Sequence, residues 1–376
     1  MAVTAPRDRK HRPLVEAVID VGSNTVHLLV GMVTDHAVTP LADESAVLSL
    51  GDVVDIEGRL PFAARTALLD ALEAQASVAR RWQARDLVVI GTEPLRRADD
   101  RDEVAAAVLG RVGCRMDVLS HAEEVELTLL GVTWGVEVTE RLLVVDVGGG
   151  SSEWVLVRPG GGPVTGVLPT GSRRLTATCS PRDPLRAGDA DRLLEEARRL
   201  ASETIVAPRV EEATFTGGSS TNLLRVIAAG DDPASPRIDR AAAAGALQAL
   251  VGQTSAQVAS RYRVSPARAR VLPAGAALVL AILEAFGLEG ADVSEASLRE
   301  GAVIALARVG GAWRQRLSSL THGWPGLPAR PGPLPAPRRT SGRPPGGQKA
   351  RLAVGPGVPG EPIPGPSQRR DAPTAR

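Results

Sequence analysis

The chain has 376 residues, 43% hydrophobic but only 2% aromatic, enough for two domains whose cores are filled by Ala, Val and Leu. A formal net charge of +1 supplies no global pull towards nucleic acid, so no nucleic-acid partner is expected. Two distant cysteines, Cys114 and Cys179, exclude a disulfide framework or a cysteine-rich zinc site, and no apolar run of about 18 residues marks a membrane span. The opening segment MAVTAPRDRKHRP is polar and basic without a signal-type apolar core. The expectation is a cytoplasmic protein with no membrane partner. Lysine occurs only at Lys10 and Lys349, a bias towards Arg that reads as genome composition rather than function.

In chain order, the first element is VEAVIDVGSNTVHLLVGMV, an apolar strand ending in Asp20, a tight polar turn and a second β-type run. A helix-like stretch from Pro61 to Trp82, a strand over Asp86–Gly91 and a helix near Arg101–Val112 follow. At Leu142 the first pattern returns as LLVVDVGGGSSEWVLVRP. Aligning Asp20 with Asp146 matches Asp-Val-Gly, two small or turn-forming residues, a hydroxyl residue and another apolar run. Duplication is the better reading of that echo, with the division near Val136–Arg141. Helices around Ala187–Thr204 and Ala241–Ala259 and an Ala-rich helix at Pro273–Phe286 complete an α/β chain. Its expected units are 14–137 and 138–316. The Pro-, Gly- and Arg-rich segment 317–376 lacks hydrophobic periodicity and is expected to be disordered.

The Gly-rich turns exclude two phosphate-binding designs. A Walker A loop needs Gly-Lys-Ser/Thr, which is missing, and a dinucleotide fingerprint opens a helix where a strand follows here. What remains is a hairpin turn whose backbone N–H groups converge on an anion, present twice and facing across a cleft. Asp20 and Asp146 end buried strands, where a carboxylate is costly unless paired or metal-bound. A hydrated Mg²⁺ held against phosphate accounts for them. A hydrogen bond from each Asp that closes its own turn is the alternative.

Together these stretches resemble the exopolyphosphatase / guanosine pentaphosphate phosphatase family from about Leu14 to Val309. DVGSNTVHLLV is similar to its first phosphate loop, VVDVGGGSSEWVL to its second, GTEPLRRADD to its arginine segment and LSHAEEVELTLLGV to the stretch that carries its catalytic Glu. LPTGSRRLT, TGGSSTNLL, RVLPAGAALVLAILE and SLREGAV follow in the family's order. The chain departs from the family pattern at Ser120-His121, Val125-Glu126 and Arg270, without losing a motif's key group.

The resemblance implies two ribonuclease H-like domains of the actin-like ATPase superfold, with the active site between them. It implies Glu124 as the residue that activates water, where the residues alone allow Glu123, Glu124 and Glu126 to be the acidic start of a helix. It implies that Arg96 meets phosphate oxygens. Ser23, Asn24, Thr25, Gly148, Gly149, Gly150 and Ser151 are expected to cradle phosphates, with Gly217, Gly218 and Ser219 as a further loop. Asp20, Asp146 and Glu153 are the expected partners of Mg²⁺ or Mn²⁺, and His27 is expected in the core or at the cleft edge. The expected activity is exopolyphosphatase on short inorganic polyphosphate. Guanosine pentaphosphate is the other substrate within that chemistry, and a non-catalytic alarmone sensor or a kinase of the same superfold are the readings outside it. A homodimer is the assembly left open.

Overall fold

The computed structural model describes residues 13–322 except 137, 139, 159–162, 181, 207–209, 211 and 232–234. In β1 (Leu14–Val21) successive side chains alternate between the two faces of a sheet that is covered on both sides. Ala17, Ile19 and Val21 enter one core and Val18 another. β1 pairs antiparallel with β2 (Thr25–Val33), and β2 with β3 (Val38–Val47). The chain then crosses through α1 (Leu50–Glu57) and α2 (Phe62–Arg81) to β4 (Leu87–Gly91), parallel to β1. Helices α3 (Glu93–Arg97) and α4 (Arg101–Val112) lead to β5 (Met116–Val118), parallel to β4, and α5 (His121–Thr133) follows. The sheet order is β3-β2-β1-β4-β5.

The second half repeats this plan. β6 (Leu142–Val147), β7 (Ser152–Val157) and β8 (Val164–Leu168) form an antiparallel meander. Helices α6 (Ser172–Cys179) and α7 (Ala187–Thr204) lead to β9 (Glu212–Thr216), parallel to β6. Then come α8 (Gly217–Ile227), β10 (Arg237–Asp239), α9 (Arg240–Leu250), α10 (Ser255–Tyr262), α11 (Pro266–Ala285) and β11 (Gly290–Val293), the last parallel to β9. Counted from the meander, the order is β8-β7-β6-β9-β11, with β10 as an added antiparallel edge. Equal order and equal strand directions in both sheets bear out the duplication. The hairpins even share a register, Asp20 lying opposite His27 and Asp146 opposite Glu153.

The last helices among the described residues are α12 (Leu298–Val309) and α13 (Trp313–His322). Residues 298–316, expected with the second unit, instead pack on the first sheet. Leu298, Ala302, Val303 and Trp313 share a core with Val18, Leu29 and Ile90. The expected tail is also shorter than 317–376, because α13 reaches His322 and Leu317 is buried; residues 323–376 lie outside the described residues. The single helix expected over Ala241–Ala259 is two, since Thr254 caps α10 through a reciprocal pair with Gln257. The Ala-rich helix starts seven residues earlier than expected, at Pro266, behind the capping hydroxyl of Ser265. Contrary to the sequence reading, this α11 is long and apolar enough, by length and composition, to cross a membrane, but 72% of its apolar window is buried among the helices of the second half.

α5 joins the two halves. Leu127 and Leu130 face the first sheet, whereas Val125 and Leu129 meet Val144 and Val155 of the second. α12 crosses α5 at Gly131 and Gly301, where a Cβ on Gly301 would collide with the Leu127 carbonyl oxygen and one on Gly131 with that of Ser297. Overpacking of this kind costs about 1–3 kcal/mol or more. Gly301→Ala is therefore expected to lower the thermal midpoint by several degrees. Gly110→Ala, in α4 where nothing approaches within 4 Å, is expected to raise it slightly. Equal shifts in the two variants' melting curves would contradict the close crossing.

Candidate active site

The period of two in each strand decides where the acids go. Asp20 shares a face of β1 with Val18, which packs towards α12, and Asp146 shares a face of β6 with Val144, which packs against α5. Both carboxylates thus lie on the inner faces of facing sheets, and both line an interdomain cavity of about 790 Å³. His27 and Glu153, their register partners, line it too, as do Ser23, Asn24, Thr25, Gly148, Gly149, Gly150, Ser151, Gly217 and Gly218.

The two turns are held by the same device. The Ser23 carbonyl accepts from Gly51 N at 2.8 Å, and the Asn24 carbonyl from Leu48 N and Ser49 N at 3.1 and 3.0 Å. In the second turn the Gly148 carbonyl accepts from Ser172 N at 2.9 Å and the Gly149 carbonyl from Arg173 N and Arg174 N at 2.9 and 3.2 Å. With the carbonyls tied back to the start of the next helix, the amides of Ser23, Asn24, Gly149 and Gly150 have no hydrogen-bond partner among the described residues. Donors in that state suit an anion. Gly217 has a φ of +85°, and a Cβ there would run into the Asp146 carboxylate, so only glycine admits this approach of α8 to β6.

Glu123 and Glu124 have different roles. Ser120 caps α5, and Glu123 closes a capping box by accepting from Ser120 N at 2.8 Å while pairing with Arg314. Glu124 points the other way, is 8% exposed and lines the cavity. Burial first, and then the charges of Glu153 and Asp20, raise its pKa well above the usual carboxylate range, against the opposing pull of Arg96. Asp20 is pushed up to about 6 by burial, opposed by Arg299 and Arg268. Asp146 is pushed up to about 7 by burial and then by Glu153 and Asp20.

Two expected site residues sit elsewhere. Arg96 does not line the cavity. Its guanidinium pairs with Glu124 and donates to the Leu119 carbonyl at 2.8 Å, because α3 directs it at the first turn of α5. Ser219 is buried and donates to Ser172 Oγ at 3.1 Å instead of facing the main cavity.

The sequence profile of the Ppx/GppA phosphatase family matches residues 29–308. The chain belongs to that family. It is 31% identical over 297 residues to Exopolyphosphatase 1 of Mycobacterium leprae, covering 76% of this chain and 88% of that protein. It is 27% identical over 312 residues to the guanosine-5'-triphosphate,3'-diphosphate pyrophosphatase of Aeromonas hydrophila, covering 79% of this chain and 60% of that protein. The crystal structure of the Aquifex aeolicus Ppx/GppA family member superposes with a TM-score of 0.67 at 25% identity, covering 79% of this chain and 98% of that one. The fold is thus the duplicated actin-like ATPase fold, and this Ppx/GppA member is a phosphoanhydride hydrolase.

Family membership implies a divalent cation, and the cavity offers carboxylates for one. Asp20 Oδ1 is buried without a hydrogen-bond partner, and Asp20 and Asp146 each have a raised pKa in a cavity they share with Glu153. Among the described residues no group of three or more His, Cys, Asp or Glu is arranged to grip an ion directly. The chemistry of these residues fits a divalent cation that retains its waters.

Several cleft residues of this Ppx/GppA chain escaped the sequence reading. Arg268 and Arg299 both line the cavity; Arg268 Nη2 lies 3.4 Å from Thr25 Oγ1 and from His27 Nε2. Burial and these two cations hold the His27 imidazole well below its usual pKa, so it is neutral. His121, flagged only as a departure, lies 2.8 Å from Glu153 Oε1 through Nδ1. Their signal in sequence was slight, because single Arg and His residues far apart in the chain carry no spacing pattern.

Because the Asp146 pKa is raised from 3.8 to about 7 in the folded state, the native chain binds more protons than the unfolded one across that window. Its contribution to stability is complete below pH 3.8 and is lost as pH rises to about 7. In metal-free buffer, Asp146→Asn should therefore gain stability relative to the wild type between those pH values and hold a constant advantage above them. Thermal melts in chelator across pH check this, and a relative stability independent of pH would contradict it.

Proposed function

We propose that this chain is an exopolyphosphatase that removes the terminal phosphoryl group of short inorganic polyphosphate as orthophosphate. The observation that carries the reading is the pair of facing turns with unpartnered amides, and a buried Glu124 on α5 lining the same cavity. In this reading a water oxygen bonds to the terminal phosphorus while the bridging P–O bond breaks towards the leaving chain. Glu124 orients that water and takes its proton, which passes on to solvent or product phosphate. Arg96 acts on Glu124 rather than on substrate, favouring the anionic form that accepts a proton.

Amides of Ser23, Asn24, Gly149 and Gly150 meet phosphate oxygens, as does Arg268 beside the first turn. Asp20, Asp146 and Glu153 would hold Mg²⁺ or Mn²⁺ through its waters. Bound there, the cation neutralises charge on the phosphate oxygens. Among the described residues no Phe, Tyr or Trp side chain lines the cavity to stack on a nucleobase. Arg225 and Arg263 line it as well. Both features favour a linear polyanion over guanosine pentaphosphate, which stays the second reading on the strength of the Aeromonas hydrophila relative. Retention of Glu124 weighs against a non-catalytic sensor.

The test is phosphate release with Mg²⁺ from tripolyphosphate, long-chain polyphosphate and guanosine pentaphosphate, with Glu124→Gln alongside. Tripolyphosphate is expected to turn over, and the variant to lose about 10²–10⁴-fold in kcat. Turnover of guanosine pentaphosphate alone would move the assignment to the second reading. Hydrolysis that Glu124→Gln leaves intact would remove Glu124 from the chemistry.

A further inference from the structure

Glu93 lies between the two phosphate-binding turns. It opens α3 directly after β4, where Thr92 ties the backbone to β1 by donating from both N and Oγ1 to the Val21 carbonyl at 3.2 and 3.1 Å. The Glu93 side chain is 7% exposed and lines the cavity. Its Oε2 accepts from Ser23 Oγ of the first turn at 2.7 Å. A Cβ added to Gly150 of the second turn would collide with that same oxygen. Its Oε1 pairs with Arg97 Nε at 2.5 Å and with Arg174, which stands on α6 in the other half of the molecule.

One carboxylate therefore touches one turn, abuts the other and takes a cation from across the cleft. Those are the contacts that an anionic phosphate group entering between the turns would need. The surrounding charges close on themselves: Arg97 pairs with Asp55 at 2.6 Å, and Arg173 with Asp52 and Asp55 at 2.6 and 2.7 Å. Asp52, Asp55 and Glu93 thus balance Arg97, Arg173 and Arg174 in a chain linking the two halves.

We propose that Glu93 is an internal competitor for the phosphate position between the two turns and so sets the affinity of the cleft for phosphate. Resting on the phosphate-binding reading of those turns, this makes entry of a phosphate group an exchange. The group takes over Ser23 Oγ and the Arg174 guanidinium, and Glu93 gives them up. The same exchange run backwards expels orthophosphate, because the carboxylate reclaims its partners. Affinity is lowered for substrate and product alike, and product leaves faster.

Calorimetric titration of the full chain with inorganic phosphate tests this for wild type, Glu93→Gln and Arg174→Gln. The Gln side chain keeps the shape and an acceptor for Ser23 while removing the charge. Glu93→Gln is expected to bind phosphate about tenfold more tightly, since like-charge juxtaposition is relieved. Its KM for tripolyphosphate should fall in proportion. Arg174→Gln is expected to bind phosphate more weakly. Equal or weaker binding by Glu93→Gln, including no binding by either protein, overturns the proposal, as does an unchanged affinity in Arg174→Gln. A drop in the melting temperature of Glu93→Gln together with weaker binding would make Glu93 a strut and likewise overturn it. Phosphate binding needs no turnover, so a wild type that hydrolyses no polyphosphate defeats the proposed function while leaving this binding test readable.

Discussion

Asp20, Glu124, Asp146 and Glu153 line one interdomain cavity, and each is largely or wholly withdrawn from solvent. Four ionised carboxylates cannot share such a space without counter-charge, because burying each costs several kcal/mol. The protein meets that constraint in two ways. Raised pKa values let protons neutralise part of the charge, and Arg96, Arg268 and Arg299 supply fixed positive charge around it. The divalent cation proposed for this site would complete the balance. The placement of Glu124 in the first turn of α5 adds the favourable end of the helix dipole.

The rest of the architecture delivers those groups. Duplication puts an acid at the same register position of two hairpins, and the two sheets turn the corresponding faces towards the helix layer between them. α5 and α12 fix the spacing by crossing at Gly131 and Gly301, where backbone meets backbone. On the side of α1, α3 and α6 the halves are joined by charge, through Arg173 and Arg174 on Asp52, Asp55 and Glu93. Close packing holds the geometry of the acids, whereas ion pairs join the halves beside the turns.

The parts legible in the sequence were those with a period or a repeated pattern. The echo of VIDVG in VVDVG revealed the duplicated fold, and the Gly-rich turns before a strand identified loops distinct from Walker A or dinucleotide sites. Glu124 was separable from Glu123 only through family resemblance. The structure supplies the physical reason, a capping box that uses up Glu123. The return of α12 and α13 to the first sheet was illegible, because an apolar helix face does not say which sheet it covers. Arg96 illustrates a subtler limit: the residue was legible but its partner was not, since a guanidinium fits a carboxylate as well as a phosphate. Glu93 was passed over inside GTEPLRRADD because its meaning comes from Ser23 and Arg174, 70 and 81 positions away.

The proposed mechanism depends on Glu124 acting as a buried base whose anionic form Arg96 favours against burial and like charges. The pH dependence of kcat/KM for tripolyphosphate at fixed Mg²⁺, compared between wild type and Arg96→Gln, tests it most directly. Removing the guanidinium raises the pKa of Glu124, so the acid limb of the variant's profile is predicted to move to higher pH. A variant whose rate falls by the same factor at every pH, with its acid limb unmoved, would contradict the account.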